Sequence, residues 1–287
     1  MTANVAGGEA GGQVRRAGRE VAGSRWFHRL SRMGLLARGV IYLLIGSLAV
    51  QIGLGDDGGG KEADRKGALE TVAGTPGGEV ILWLLVVGFA GLALWRFAEA
   101  VYGQPVPDGT APGKRLASLG RGVFYGVACA AILDFTLGGG AQSSDEQSKS
   151  FTAKAMGEPG GRWLVLAIGV GFVAWGAGNI VNAVRRKFTE KLETGRMRPR
   201  VRTAVEVLGL VGRAARGLVF GTVGVFLAYA AITFDPGKAK GLDGTLRSFA
   251  GTPAGRWALV AVAIGLVTFG VYSFCEARWR KVEAVRS

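Results

Sequence analysis

The chain has 287 residues, of which 49% are hydrophobic and 49 are glycine; mean hydropathy is +0.28 and formal net charge is +14. Much of the glycine lies inside apolar runs, which excludes a collagen-like or linker-like chain and points to membrane helices. One histidine excludes bis-histidine haem ligation within a single chain, and two cysteines, both inside apolar runs, give no basis for a disulfide framework or a thiolate metal site.

Residues 1–24, rich in Gly, Ala, Glu and Arg, have almost nothing to bury and are predicted to be a disordered tail. His28 follows in "RWFHRLSR", an amphipathic lead-in at the interface. Six apolar runs then reach the roughly 20 residues that a bilayer core of about 30 Å requires: 33–54, 80–102, 118–137, 162–183, 209–233 and 256–277. The first is read as an uncleaved span, because no small-residue cleavage site follows it before "GDDGGGKEADRK". Cys129 and Cys275 fall inside spans as small packing residues, and Asp134 near the end of the third span is expected to face headgroup water or cap a helix end.

Short amphipathic stretches, "ALETVAG", "TAKAMG" and "LRSFAG", precede the prolines Pro76, Pro159 and Pro253. Leu69 with Val72, and Leu246 with Phe249, have the spacing of one helical face, so short helices on the outer membrane surface are predicted there. Trp163 and Trp257 follow at aromatic-belt depth.

Charge predicts orientation. The two tails and the segments 103–117 and 184–208 hold twenty Lys/Arg against seven acids, whereas the three alternate loops hold eight against eleven. By the positive-inside rule both termini are cytoplasmic. The net charge then serves anionic headgroups, and "RRKFTEKLETGRMRPRVR" reads as a juxtamembrane segment rather than a nucleic-acid site, lacking a base-stacking aromatic array.

The chain repeats. Prolines 76, 159 and 253 follow Arg38, Arg121 and Arg216 by 38, 38 and 37 residues; a glycine (Gly88, Gly171, Gly265) comes 12 residues after each proline, and Glu99, Asn182 or Glu276 comes 23 after. Two spans per unit give three copies in one orientation, and a pseudo-threefold bundle is expected: hairpins 25–103, 104–187 and 188–280 between the tails 1–24 and 281–287. The triplicated Arg-Gly hairpin with G-x-P-[GA]-G outer turns resembles the uncharacterised bacterial six-span family catalogued as domain of unknown function 1206, over residues 25–280. The resemblance implies an all-α polytopic membrane fold and no established activity.

An arginine a few residues inside a span can snorkel to the headgroups. The repeat also offers partners, and two ion pairs within hairpins are predicted, Arg38 with Glu99 and Arg216 with Glu276. In the middle repeat Asn182, with Asn179 one turn earlier, replaces the acid, so Arg121 is expected to carry uncompensated charge and to contact an anion or lipid. Gly39, Gly122 and Gly217 after the arginines, with Gly126 and Gly221 four residues on, are expected to pack helices. Tyr42, Tyr125 and Phe220 lie one turn beyond each arginine, as core residues able to stack on guanidinium.

No nucleophile and base set, Walker loop or metal-ligand cluster is present in the sequence, so no catalytic residue, metal or cofactor is expected. The leading expectation is a structural or interaction protein of the bacterial inner membrane with anionic lipid at its cytoplasmic rim. The alternative is a small-solute, anion or ion transporter with a path along the repeat axis. A cavity on that axis lined by Arg121 and Asn182 would favour transport; a dry, glycine-packed axis would favour the structural role.

Overall fold

The computed structural model describes residues 25–55, 62–103, 111–140 and 142–281. The expected disorder of the tail 1–24 lies outside them. Among the described residues there are six long helices: α1 (Arg25–Leu54), α3 (Gly78–Tyr102), α4 (Pro112–Thr136), α6 (Gly161–Val184), α7 (Pro199–Thr233) and α9 (Arg256–Trp279). All six are long and apolar enough to cross a membrane; at 1.5 Å per residue the shortest are about 36 Å long. The protein is a multi-pass, all-α membrane protein. Among the described residues three short helices lie at the end of the bundle that carries the proline turns: α2 (Arg65–Ala73), α5 (Ser144–Met156) and α8 (Leu242–Ala250).

The outer turns show how sequence sets geometry. In the first two repeats proline is followed by a left-handed glycine, Gly77 (φ 75°) or Gly160 (φ 79°), and a second glycine starts the return helix. A Cβ on Gly78 or Gly161 would meet the carbonyl oxygen of Val72 or Ala155 at 2.1 or 1.5 Å, so no other residue fits. In the third repeat Ala254 occupies the first glycine's place, the positive φ moves to Gly255, and the return helix starts at Arg256.

The short helices turn their apolar faces onto the bundle rather than onto lipid: Leu69, Val72 and Leu246 are buried, as are Thr152 and Met156 of α5. Their first turns interlock. Asp64 of the first repeat accepts the Ser144 N–H (2.6 Å); Asp145 of the second accepts the N–H groups of Gly241 and Gly244 (2.8 and 3.0 Å). Asp243 of the third accepts the Ala63 N–H of the first (2.8 Å). Each outer segment thus satisfies backbone donors of the next, and the circle closes. Trp163 and Trp257 lie about two-thirds exposed at the outer ends of α6 and α9, as an aromatic belt requires.

Packing of the long helices also runs around a ring, α1 on α3, α3 on α4, α6 on α7, α7 on α9 and α9 on α1. The junction of α4 with α6 is the exception, for these two scarcely touch. The glycine contacts register the difference. The return-span glycines Gly88 and Gly265 lie hard against Ala37 and Ala215 of their outgoing partners, where an added Cβ would come within 2.7 and 2.3 Å; at the equivalent Gly171 it would meet nothing within 4 Å. The middle hairpin is open.

Helices with little hydrophobic drive between them depend on such close contacts. Gly217 faces Gly176 across α7 and α6, and Gly39 faces Gly270 across α1 and α9, while Gly221 also abuts Gly176. Gly122 packs on the Phe97 ring. The expected packing role of Gly126 is corrected: a Cβ there meets nothing within 4 Å, with the Phe97 ring between the helices one turn earlier.

The interlocked outer segments lead to a test. Asp145→Ala leaves two backbone donors without their acceptor and should cost about 1–3 kcal/mol, whereas Asp145→Asn keeps an accepting oxygen and should cost less. Thermal melting in detergent measures both; equal losses would remove the acceptor role.

Candidate functional site

Arg38 lies in α1, deep in the bundle and 3% exposed. Its guanidinium donates to Glu276 Oε2 (2.5 Å), Ser273 Oγ (3.1 Å) and Tyr125 Oη (3.4 Å), and lies 5.1 Å over the Phe269 ring. The carboxylate therefore comes from the last return helix, not from Glu99 in the same hairpin. Glu99 is held instead by Arg96 (2.7 Å) one turn earlier, by Ser118 Oγ–H of α4 (3.2 Å) and by Arg280 (3.5 Å). Arg280 also pairs with Glu276. The result is a buried chain, Arg38–Glu276–Arg280–Glu99–Arg96, in which every member is 2–4% exposed. Both Arg96 and Arg280 also stack on Trp95, at 4.5 and 4.2 Å.

The expected pairs within hairpins are thus corrected, and the reason is geometric. Outgoing helices meet the return helix of the preceding repeat through the glycine contacts at Gly39 and Gly217, which brings Arg38 against α9 and Arg216 against α6. By that register the acid missing at Asn182 is the one that Arg216 would have used. Among the described residues Arg216 makes no ion pair; it donates to Tyr42 Oη (2.9 Å) and lies 4.9–5.5 Å from the rings of Trp175, Phe269, Phe220 and Tyr42. Ring faces replace the carboxylate, so the expected Arg216–Glu276 pair is absent.

The ring positions follow the same circular order. Arg38 donates to Tyr125 of the second repeat and Arg216 to Tyr42 of the first. The partner in line for Arg121 is Phe220, which has no hydroxyl. Arg121 turns back instead, donating to the Ala117 carbonyl (2.9 Å) and to Ser118 Oγ (3.4 Å) on its own helix.

It there lines a half-open cleft of about 430 Å³ where α4 and α6 splay apart. Asn179, Asn182 and Trp175 of α6 share its wall, with Arg213 of α7 and a 3₁₀ turn at Lys187–Lys191. No residue of α1, α3 or α9 lines it, so it is lateral rather than axial. The structure brings Arg121, Asn179 and Asn182 together; Pro76, Pro159 and Pro253 lie at the opposite end, in the outer turns. His28 is on the opening turns of α1. Among the described residues no group of His, Cys, Asp or Glu could hold a metal ion.

Arg96, Arg280, Arg213 and Lys191 were not singled out from sequence. Arg96 three residues before Glu99 and Arg280 four after Glu276 carried a signal, the spacing of neighbours on one helical face. Lys191 and Arg213 had none, since their approach depends on how the turn folds back.

The family described as Domain of Unknown Function (DUF1206) matches the chain three times, over residues 33–103, 116–186 and 211–280. The chain belongs to this family. It is also similar to "Uncharacterized protein YxxB" of Bacillus subtilis (strain 168), with 29% identity over 256 residues, 88% of this chain and 90% of the relative. No solved structure matches.

A double-mutant cycle distinguishes the two pairing schemes. Glu276→Gln should cost about 3 kcal/mol or more, since it leaves buried guanidinium unanswered, and adding Arg38→Met should recover part of it. Arg38→Met and Glu99→Gln, linked only through Glu276 and Arg280, should show a smaller coupling energy than Arg38→Met with Glu276→Gln. Coupling of Arg38 to Glu99 rather than to Glu276 in melting measurements would refute the circular scheme.

Proposed function

We propose that this is a non-enzymatic protein of the bacterial inner membrane, with both termini cytoplasmic, that holds an anionic lipid headgroup in the α4–α6 cleft. The observation that carries this reading is the open middle hairpin: the first and last hairpins close on glycine, while the middle one leaves a cleft lined by Arg121, Arg213 and Lys187 with the amides of Asn179 and Asn182, where Glu190 is the one lining acid among the described residues. Guanidinium, ammonium and amide donors converging in a partly dry recess suit a phosphate group.

Phosphate could arrive free or on a lipid, and the seam favours lipid. Beyond the cleft α4 and α6 expose Val123, Val127, Val170 and Val173, an apolar track on which acyl chains can lie while the headgroup enters sideways. A path along the repeat axis has less support: Arg38, Tyr42, Tyr125, Arg216 and Phe269 are buried together where the three outgoing helices converge. The orientation rests on charge, as the cleft shares its end of the bundle with the basic 184–208 segment.

Native mass spectrometry of the protein in mild detergent checks this reading. The wild type should retain an anionic phospholipid one to one; Arg121→Gln should lose it, and Asn182→Glu, which puts an acid into the cleft, should weaken it while melting stays near wild type. Retention unchanged in both variants would remove the cleft as the site, and displacement of the lipid by millimolar inorganic phosphate would point to a soluble anion. A reporter joined after residue 60 should behave as external; a cytoplasmic signal there would reverse the orientation.

A further inference from the structure

A second recess lies at the opposite end of α4, where that helix meets α2 and α5 at the end of the bundle with the proline turns. It is half-open, and its volume of about 310 Å³ sits at the small end of the roughly 300–1,000 Å³ that hold small molecules. Leu69 and Ala131 give it apolar wall, and Arg65, Lys66, Asp134 and two glutamines bring polar groups. The sequence builds the acidic side from "DFTLGGG". α4 ends at Thr136, Gly138 turns the chain at φ 89°, and the Asp134 carboxylate lies against Gly139, where an added Cβ would come within 2.6 Å of it. Gly140 then lines the recess. At the same distance from the repeat arginines the other units have Gln51 and Tyr229, so the middle unit alone places a charge there. Among the described residues the Asp134 carboxylate has no hydrogen-bond or ion-pair partner.

The two cations of α2 differ. Lys66 already has a carboxylate, Glu62 at 3.8 Å. Arg65, half-buried, donates to one neutral acceptor, Gln147 Oε1 (3.2 Å). The oxygens of the neighbouring Asp64 accept the N–H groups of Gly67 and Ser144. Burial pulls the Arg65 pKa down, with Asp64 acting the other way. Arg65 and Asp134 make no ion pair with each other, so a guanidinium and a carboxylate line one cavity and are each short of an opposite charge.

We propose that this recess binds a small zwitterion of the α-amino acid class, its carboxylate on Arg65 and its ammonium on Asp134. A carboxylate matches the guanidinium fork, the ammonium answers the acid, and an apolar side chain lies along Leu69 and Ala131. Arg65 is the more buried of the pair, so its contact is the less screened and carries more of the affinity. Asp134, exposed at the open side, supplies discrimination: a molecule with the carboxylate alone leaves it unanswered. The site is separate from the lipid cleft, and on the orientation proposed above it opens on the outer side.

The experiment scans the full chain in mild detergent by melting with the standard L-α-amino acids at millimolar concentration. Each one that raises the melting temperature is then titrated by calorimetry beside its deaminated and decarboxylated analogues, propionate and ethylamine in the case of alanine. At least one amino acid should bind, about tenfold tighter than either analogue. Asp134→Asn, at an exposed position, should melt as the wild type does and lose that advantage. Arg65→Lys, which keeps the charge and loses the fork, should weaken binding by about tenfold or more. No melting shift with any amino acid overturns the proposal. Equal binding of the deaminated analogue makes the recess a plain anion site and overturns the zwitterion, and full affinity in Asp134→Asn places the ligand elsewhere. None of these results bears on the lipid reading, which rests on the other end of α4.

Discussion

A guanidinium inside hydrocarbon needs a partner, and the whole arrangement follows from how three such groups find theirs. Arg38 reaches across to Glu276 and joins the chain that runs through Arg280 and Glu99 to Arg96. That chain links the first hairpin to the last and fixes α1 against α9. Its two carboxylates answer three guanidiniums. Ring faces and hydroxyls take up the difference, with Trp95 under two guanidiniums and Tyr125 and Ser273 against the third. Ion chains of this kind add little net stability over an apolar core but penalise any loss of one member, so their effect is to fix which helix meets which.

Both ends of the bundle use the same circular logic with different chemistry. At the end that carries the proline turns, aspartates accept hydrogen bonds from backbone N–H groups of the next repeat. Toward the other end, arginines pass them to tyrosines of the next repeat. Repetition alone would give three equivalent junctions. Two single substitutions within the pattern spoil the equivalence: Phe220 withdraws a hydroxyl from Arg121, and Asn182 withdraws a carboxylate from Arg216. Arg216 is compensated by a cage of aromatic rings, whereas Arg121 lines a cleft and shares the Ser118 hydroxyl with Glu99.

The opening of the middle hairpin and the place of Arg121 belong together. If α4 and α6 closed as their counterparts do, with Gly171 against the outgoing helix, Arg121 would lie in a smaller and drier space. Splaying the pair leaves the Arg121 guanidinium at a half-open recess, where holding a charge costs less than in a closed helix contact. A fold built for close packing thus acquires a polar recess where the repeats differ most.

The sequence by itself determined the six spans, the three-copy repeat and the outer turns, because these rest on local rules: span length against bilayer thickness, and the conformations open to proline and glycine. It also marked Arg121, Asn179 and Asn182 as the odd members of the pattern, and these do share a cavity. The partners of the arginines were decided only in three dimensions. Sequence spacing measures depth along a helix, and depth alone does not separate Glu99, the expected partner of Arg38, from Glu276, the observed one. The choice fell to lateral packing, where Gly39 against Gly270 brings α1 and α9 together and Gly217 against Gly176 does so for α7 and α6. Lys191 and Arg280 reach the site through a backbone bridge between segments almost ninety residues apart, which no local pattern encodes.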